Sequence, residues 1–61
     1  MAAAVSEPIR ILLVDDEPTM IGLMQSILDG QEAYLVDAAL NGEEALAKVV
    51  RSPPDLLITD L

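Results

Sequence analysis

The feature that most constrains the fold is a pair of short apolar runs that both end in aspartate. Residues 11–14 are followed by Asp15 and Asp16, and residues 56–59 are followed by Asp60. A short apolar run bounded by polar residues is typical of a strand buried on both faces of a parallel sheet. If the two strands are neighbours, three carboxylates meet at one edge of that sheet.

The segment after the first run has the periodicity of a helix. Pro18 suits the first helical position, where its missing N–H costs nothing, and Gly30 suits a left-handed cap after residue 29. The apolar residues between them fill one arc of about 160°, which predicts a single packing face. These residues are Met20, Ile21, Leu23, Met24, Ile27 and Leu28.

A second helix is predicted from Asn41 to about Arg51, before the sequence Ser-Pro-Pro. Asn41 and Glu44 have the spacing of a capping box, in which each side chain binds a backbone N–H of the first turn. Glu44 and Lys48 are four residues apart, and we expect them to form an ion pair. Strands are predicted at residues 9–14, 34–39 and 55–59, so that strands and helices alternate.

This alternation predicts a doubly wound α/β domain with a parallel sheet. Crossover connections between parallel strands are almost always right-handed. If strands two and three flank strand one, in the order 2-1-3, the two helices must cover opposite faces. The gap between strands one and three is then a topological switch point, where open α/β sheets bind ligands. Asp15, Asp16 and Asp60 are predicted to lie there.

Charge and composition exclude several kinds of function. Eleven acidic residues against three basic ones give a formal charge of −8, which argues against binding of nucleic acid or an anionic membrane. The chain has no cysteine and no histidine, so thiolate and imidazole chemistry are absent. No apolar stretch reaches the roughly 20 residues of a membrane helix. We expect a cytoplasmic chain with a flexible N-terminal tail at residues 1–8.

The carboxylates at the switch point have two interpretations. Mg²⁺ prefers oxygen ligands and usually binds one or two carboxylates together with water. Asp15, Asp16 and Asp60 are therefore predicted metal ligands. Alternatively, Asp15 and Asp16 stabilise the positive end of the helix that follows them, and Asp60 merely ends a strand. The combination of all three favours a cation, since like charges brought together repel one another.

Three motifs in this order resemble the receiver domain of two-component response regulators. They are ILLVDDEP at residues 11–18, NGEEAL at 41–46 and PDLLITD at 54–60, and the resemblance covers residues 9–61. It implies a flavodoxin-like sheet in which Asp60 accepts a phosphoryl group from a sensor histidine kinase. It further implies that Asp16 binds Mg²⁺ directly and that Asp15 does so through water.

The resemblance also implies that the chain is truncated to three of the five strands of a receiver. We expect it to lack the backbone carbonyl, the switch Ser or Thr and the Lys that later strands supply. It is therefore expected to be a phospho-acceptor and not an enzyme, with an output domain in the parent protein. The alternative is a fragment that acts only in protein interaction or oligomerisation, through the open edge of the third strand.

Overall fold

The computed structural model describes residues 7–60, in which strands and helices alternate. The elements are β1 (Ile9–Val14), α1 (Pro18–Leu28), β2 (Tyr34–Ala39), α2 (Gly42–Arg51) and β3 (Leu56–Thr59). Each predicted element is present, and its bounds agree with the prediction to within one residue. Most of the predicted N-terminal tail, residues 1–6, lies outside the described residues.

The three strands form one parallel sheet in the order β2-β1-β3, as predicted. Along β1, Ile9 to Val14 pair with Tyr34 to Ala39 of β2, and Ile11 to Val14 pair with Leu56 to Thr59 of β3. β1 is therefore the central strand, which agrees with its being the most apolar. Because the pairing runs to the last residue of β1, all three strands end at the same edge of the sheet.

The helices cover opposite faces of the sheet, as the handedness argument predicts. On one face, Leu12 and Val14 of β1 pack with Ala45 of α2. On the other face, Ile11 and Leu13 pack with Ile21 of α1. Successive side chains of a strand point to opposite faces, so a single central strand supplies both halves of the core.

The predicted single packing face of α1 is too wide. Only Ile21 is buried in this helix, while Met24 and Leu28 pack partly against the core. Leu23 and Ile27 are 55% and 72% exposed, and Met20 is also exposed. The reason is geometric, because a helix lying on one sheet buries only the line of side chains directly below it. The outer half of the predicted arc therefore faces away from the core.

The predicted left-handed conformation of Gly30 is wrong. No residue between 7 and 60 has a positive φ angle. Instead α1 ends through Asp29, which keeps a right-handed helical conformation and donates its N–H to the Gln25 carbonyl at 2.7 Å. The next turn is closed by the Gln31 N–H, which donates to the Leu28 carbonyl at 3.0 Å. These bonds satisfy two of the last four carbonyls of α1 without a left-handed residue.

The capping box of α2 is present, with one partner shifted. The Asn41 Oδ1 accepts a hydrogen bond from the Glu44 N–H at 2.7 Å. The Glu44 Oε1 in turn accepts from the Leu40 N–H at 2.6 Å, one residue before the usual position. Glu44 is therefore bound to the backbone before the helix.

The predicted ion pair between Glu44 and Lys48 is absent. The Lys48 Nζ instead donates to the Asp37 Oδ1 at 3.1 Å and to the Ala38 carbonyl at 2.6 Å. Both partners belong to β2, on which α2 packs. The Glu44 carboxylate is meanwhile bound to the Leu40 N–H, and Lys48 pairs with the carboxylate that β2 places beside it.

Candidate functional site

The strand pairing brings Asp15 and Asp60 together at the carboxyl end of the sheet. Val14 pairs with Thr59, so the next residues along each strand, Asp15 and Asp60, stand opposite each other. The Asp60 N–H donates to the Val14 carbonyl at 3.2 Å, which continues the ladder beyond β3. Neighbouring strands lie about 4.8 Å apart, so the two carboxylates come from adjacent backbone positions at the predicted switch point.

Asp15 is the buried member of the site, with only 6% of its surface exposed. Its Oδ1 accepts a hydrogen bond from the Glu17 N–H at 2.9 Å, and its own N–H donates to the Ala39 carbonyl at 3.1 Å. Glu17 is the N-cap residue directly before α1. The Asp15 carboxylate thus holds the turn between β1 and α1, which is part of the structural role proposed for it in the alternative interpretation.

Asp16 and Asp60, in contrast, are exposed to solvent. Within residues 7–60, neither side chain makes a hydrogen bond or an ion pair. An ionised carboxylate has about four lone-pair positions, and all of them are available on these two residues. A dissolved cation or a reacting group on a partner can therefore reach both.

The donor atoms at this edge suit Mg²⁺, which takes carboxylate oxygens and completes its shell with water. Nevertheless, no three acidic side chains within residues 7–60 are placed closely enough to hold a metal ion together. The structure brings the three aspartates to one edge of the sheet without assembling them into a three-ligand cluster. Asp15, Asp16 and Asp60 are thus the residues that could hold the ion, with water supplying the remaining ligands.

A second polar group of residues, which the sequence did not predict, lies at the other end of the sheet. There the side chains of Arg10, Lys48 and Arg51 line a pocket that also contains Asp37. Partial burial raises the pKa of Asp37, but the Ala38 N–H and the Lys48 ammonium group outweigh it and hold that pKa below its ordinary value. No sequence signal could identify this group, because Arg10 and Lys48 are far apart in the chain and meet only through the sheet.

Comparison with known proteins gives one consistent result. The family model described as "Response regulator receiver domain" matches residues 11–61. The chain is 44% identical over 54 residues to the transcriptional regulatory protein TrcR of Mycobacterium tuberculosis, covering 88% of this chain and 21% of that relative. It is 42% identical over 52 residues to the transcriptional regulatory protein ResD of Bacillus subtilis, covering 85% and 21%.

A third relative is named for a different activity. It is a protein-glutamate methylesterase/protein-glutamine glutaminase of Treponema denticola, 41% identical over 56 residues, which are 90% of this chain and 15% of the relative. The chain therefore spans between about a seventh and a fifth of the length of these relatives. No solved structure matches it. Within residues 7–60, no helix is long and apolar enough to cross a membrane.

Proposed function

This chain belongs to the response regulator receiver domain family, and on that basis we propose that Asp60 accepts a phosphoryl group from a sensor histidine kinase. The observation that supports this most is the register of β1 and β3, in which Val14 pairs with Thr59, so that Asp15 and Asp60 follow at neighbouring positions. This arrangement places the exposed carboxylate of Asp60 near the carboxylate oxygens of Asp15 and Asp16 at the switch point. Family membership itself establishes a role in two-component signalling.

The proposed reaction is a direct transfer between two side chains. An Asp60 carboxylate oxygen attacks phosphorus, and the bond between phosphorus and the kinase imidazole nitrogen breaks as the new P–O bond forms. The product is an acyl phosphate, and the imidazole leaves with the electron pair. The exposure of Asp60 supports this, because a nucleophile that serves another protein must be accessible to it.

Asp15 and Asp16 are proposed to hold Mg²⁺ beside Asp60, Asp16 directly and Asp15 through water. When bound, the ion would offset the negative charge of the phosphoryl oxygens. It would also offset the mutual repulsion of the three carboxylates. The hydrogen bond from the Glu17 N–H fixes the orientation of the Asp15 carboxylate. Of the three side chains, that of Asp15 is therefore held most firmly in place.

The test is incubation of the full chain with Mg²⁺ and acetyl phosphate, followed by mass spectrometry of the intact chain and of its peptides. We expect the mass increase of one phosphoryl group, located on Asp60. Asp60→Asn should abolish it, while the matched variant Asp29→Asn, at an exposed acidic residue after α1, should retain it. Absence of modification in the unsubstituted chain, or equal modification of the Asp60→Asn variant, would contradict the proposal.

The remaining features of the proposed function follow from the family. We propose that the chain is a signalling domain and not an enzyme, so the esterase activity in the name of the methylesterase relative is not assigned to it. Its proposed partners are the kinase and an output domain, as the transcriptional regulatory relatives suggest. Its proposed location is the cytoplasm, where ATP-dependent kinases act.

A second candidate function is protein interaction through the outer edge of β3. Among the described residues β3 pairs only with β1, and Leu56 and Leu57 are 49% and 50% exposed. An apolar strand edge invites pairing with another chain. Sedimentation should then show association at micromolar concentration that Leu57→Lys weakens and Val50→Lys, at an exposed position of α2, does not. A monomer at high micromolar concentration would exclude this function.

A further inference from the structure

All three basic residues of this acidic chain line one pocket. Arg10, Lys48 and Arg51 are its only lysine and arginine residues, and all border an open pocket of about 400 Å³. The pocket lies between the end of α2 and the first half of β1 and β2. It is therefore at the opposite end of the sheet from Asp60, outside the site proposed for phosphorylation.

Two of the three cations remain available to a ligand. Lys48 is already bound to Asp37 and to the Ala38 carbonyl. The guanidinium group of Arg10 makes one long hydrogen bond, from Nη2 to the Ser52 carbonyl at 3.4 Å. The exposed side chain of Arg51 has no hydrogen bond or ion pair within residues 7–60. Since each guanidinium carries five donors, most of these donors are unused.

All three basic residues also interact with the C-terminal end of α2. Basic residues in the last turn of a helix interact favourably with its negative end, and Lys48 and Arg51 are the basic residues of the last turn of α2. Arg10 comes from β1, and its Nη2 donates to the carbonyl of Ser52, the C-cap residue of α2. Within residues 7–60 this interaction uses one of the five guanidinium donors of Arg10 and none of those of Arg51, so both groups can bind a ligand as well.

The charge of the pocket is opposite to that of the rest of the chain. Among the described residues Asp37 is the only acidic one that lines it, and Lys48 pairs with that carboxylate at 3.1 Å. Nearby, the Asp55 carboxylate accepts a hydrogen bond from the Arg10 backbone N–H at 2.9 Å. Arg10 and Arg51 thus lie in a positive region of a chain with net charge −8. A negatively charged molecule is repelled elsewhere and attracted here.

The remaining lining of the pocket is apolar. It consists of Ile11, Leu12, Leu35, Val36 and Pro54. Leu35 is 57% exposed, so the pocket is open and presents an apolar side chain to solvent. A site for a small molecule usually encloses most of its ligand. This open site instead fits side chains that another protein inserts.

We propose that this pocket binds an acidic segment of a partner protein in which Asp or Glu lies next to an apolar residue. The carboxylate binds the guanidinium groups of Arg10 and Arg51, and the apolar side chain covers Leu35. Arginine is suited to this, because its planar group can bind a carboxylate through two parallel hydrogen bonds. The proposal is independent of the phosphorylation of Asp60.

The test is titration of the full ¹⁵N-labelled chain with a blocked peptide of alternating Leu and Glu, followed by NMR. We expect the amide resonances of Leu35, Val36 and Ser52 to shift with this peptide. A control peptide in which Gln replaces Glu should cause no shifts. Arg51→Gln should weaken binding about three- to fivefold, the value of an exposed charge pair. The control variant Gln25→Glu changes the net charge by the same amount, but on α1, which covers the opposite face of the sheet. It should leave the affinity for the peptide unchanged.

Several results would overturn the proposal. They are the absence of shifts at millimolar peptide, shifts centred elsewhere, equal binding of the neutral peptide, or equal weakening by Gln25→Glu. Hexanoate binding as tightly as the peptide would assign the pocket to small carboxylates instead. Asp60→Asn should bind the peptide normally, so a failure of phosphorylation and a failure of this proposal are distinguishable.

Discussion

Two adjacent aspartates at the end of β1 occupy very different surroundings. Asp15 is buried and accepts a hydrogen bond from the Glu17 N–H, whereas Asp16 is exposed and makes no such bond within residues 7–60. The first residue can therefore support both the turn and a cation, while the second can serve only functions that take place in solvent. Substitutions at the two positions should separate stability from ion binding.

Asp16→Asn should weaken Mg²⁺ binding with little effect on stability. We expect affinity to fall by at least about tenfold, because even residues that only support a metal ligand contribute that much. The free energy of unfolding should change by less than about 0.5 kcal/mol, as for other exposed substitutions. Asp15→Ala should weaken binding and also destabilise the fold by about 1–3 kcal/mol, since the Glu17 N–H loses its acceptor. Mg²⁺ titration and urea unfolding measure the two effects, and unchanged affinity in Asp16→Asn would contradict its assignment as a ligand.

The pair of Asp37 and Lys48 should make a small, pH-dependent contribution to stability. The pKa of Asp37 is lowered in the folded chain, so its contribution is fully present above the ordinary pKa of 3.8. That contribution is lost as the pH falls through the lower, folded value. Because Asp37 is 66% exposed, Asp37→Asn should cost less than about 1 kcal/mol at neutral pH.

Urea unfolding at neutral pH and near pH 2 measures this difference. The gap between the unsubstituted chain and Asp37→Asn should narrow at the lower pH, as the Asp37 carboxylate takes up a proton. Asp29→Asn, at an exposed acid with no side-chain partner within residues 7–60, serves as the control. A gap that stays constant with pH would show that the Asp37 charge makes no contribution.

At the scale of the elements, the two helices are stabilised by different means. α2 has a side-chain cap at Asn41, acidic residues in its first turn and basic residues in its last. α1 has no side-chain cap, no acidic residue in its first turn and no basic residue in its last. Its stability therefore depends on packing against β1, and it also carries a glycine, Gly22, in its interior.

Gly22→Ala should stabilise α1. Glycine in a helix costs about 0.5–1 kcal/mol relative to alanine, and a Cβ at this position meets no atom within 4 Å. We expect the free energy of unfolding to rise by that amount in thermal or urea unfolding. The matched variant Gly42→Ala, also with open space around its Cβ, lies at the first residue of α2 and should gain less. Destabilisation by Gly22→Ala would show that α1 needs flexibility at this point.

At the scale of the whole molecule, both halves of the core depend on β1. Leu13 is 1% exposed and is the most buried large side chain. It packs between β1 and α1 together with Ile21, while its neighbours Leu12 and Val14 pack beneath α2. A chain of this size buries only about 60% of the surface that it exposes when unfolded, so it has little stability to lose.

Leu13→Ala should therefore unfold most of the population. Removal of a buried leucine side chain costs about 2–5 kcal/mol, and the stability of a small domain lies at or below about 5 kcal/mol. Leu23→Ala, at a residue of α1 that is 55% exposed, should change the melting temperature little. Circular dichroism during thermal unfolding compares the two. A melting temperature of Leu13→Ala within a few degrees of the parent would show that the core does not depend on β1.

The sequence alone determined the order of the elements, which follows from local periodicity along the chain. Once strands two and three are taken to flank strand one, the handedness of crossover connections also places the helices on opposite faces, and the aspartates lie at one edge of the parallel sheet. The sheet order was the premise of that reasoning, and the structure confirms it. The three aspartates could be predicted as candidate site residues because each directly follows a strand. The pairing of Asp15 with Asp60 follows from the same reasoning once β1 and β3 are neighbours.

Only the tertiary structure decided which of the predicted core and site residues are buried and which residues their side chains contact. Periodicity along α1 cannot show how much of an apolar arc the sheet covers, so Leu23 and Ile27 proved exposed. The partner of Lys48 could not be predicted either, because Asp37 approaches it from another element. For the same reason the basic pocket is invisible in the sequence. Arg10 and Arg51 line one pocket only when β1 and α2 pack together, and such proximity depends on distances in space, not along the chain.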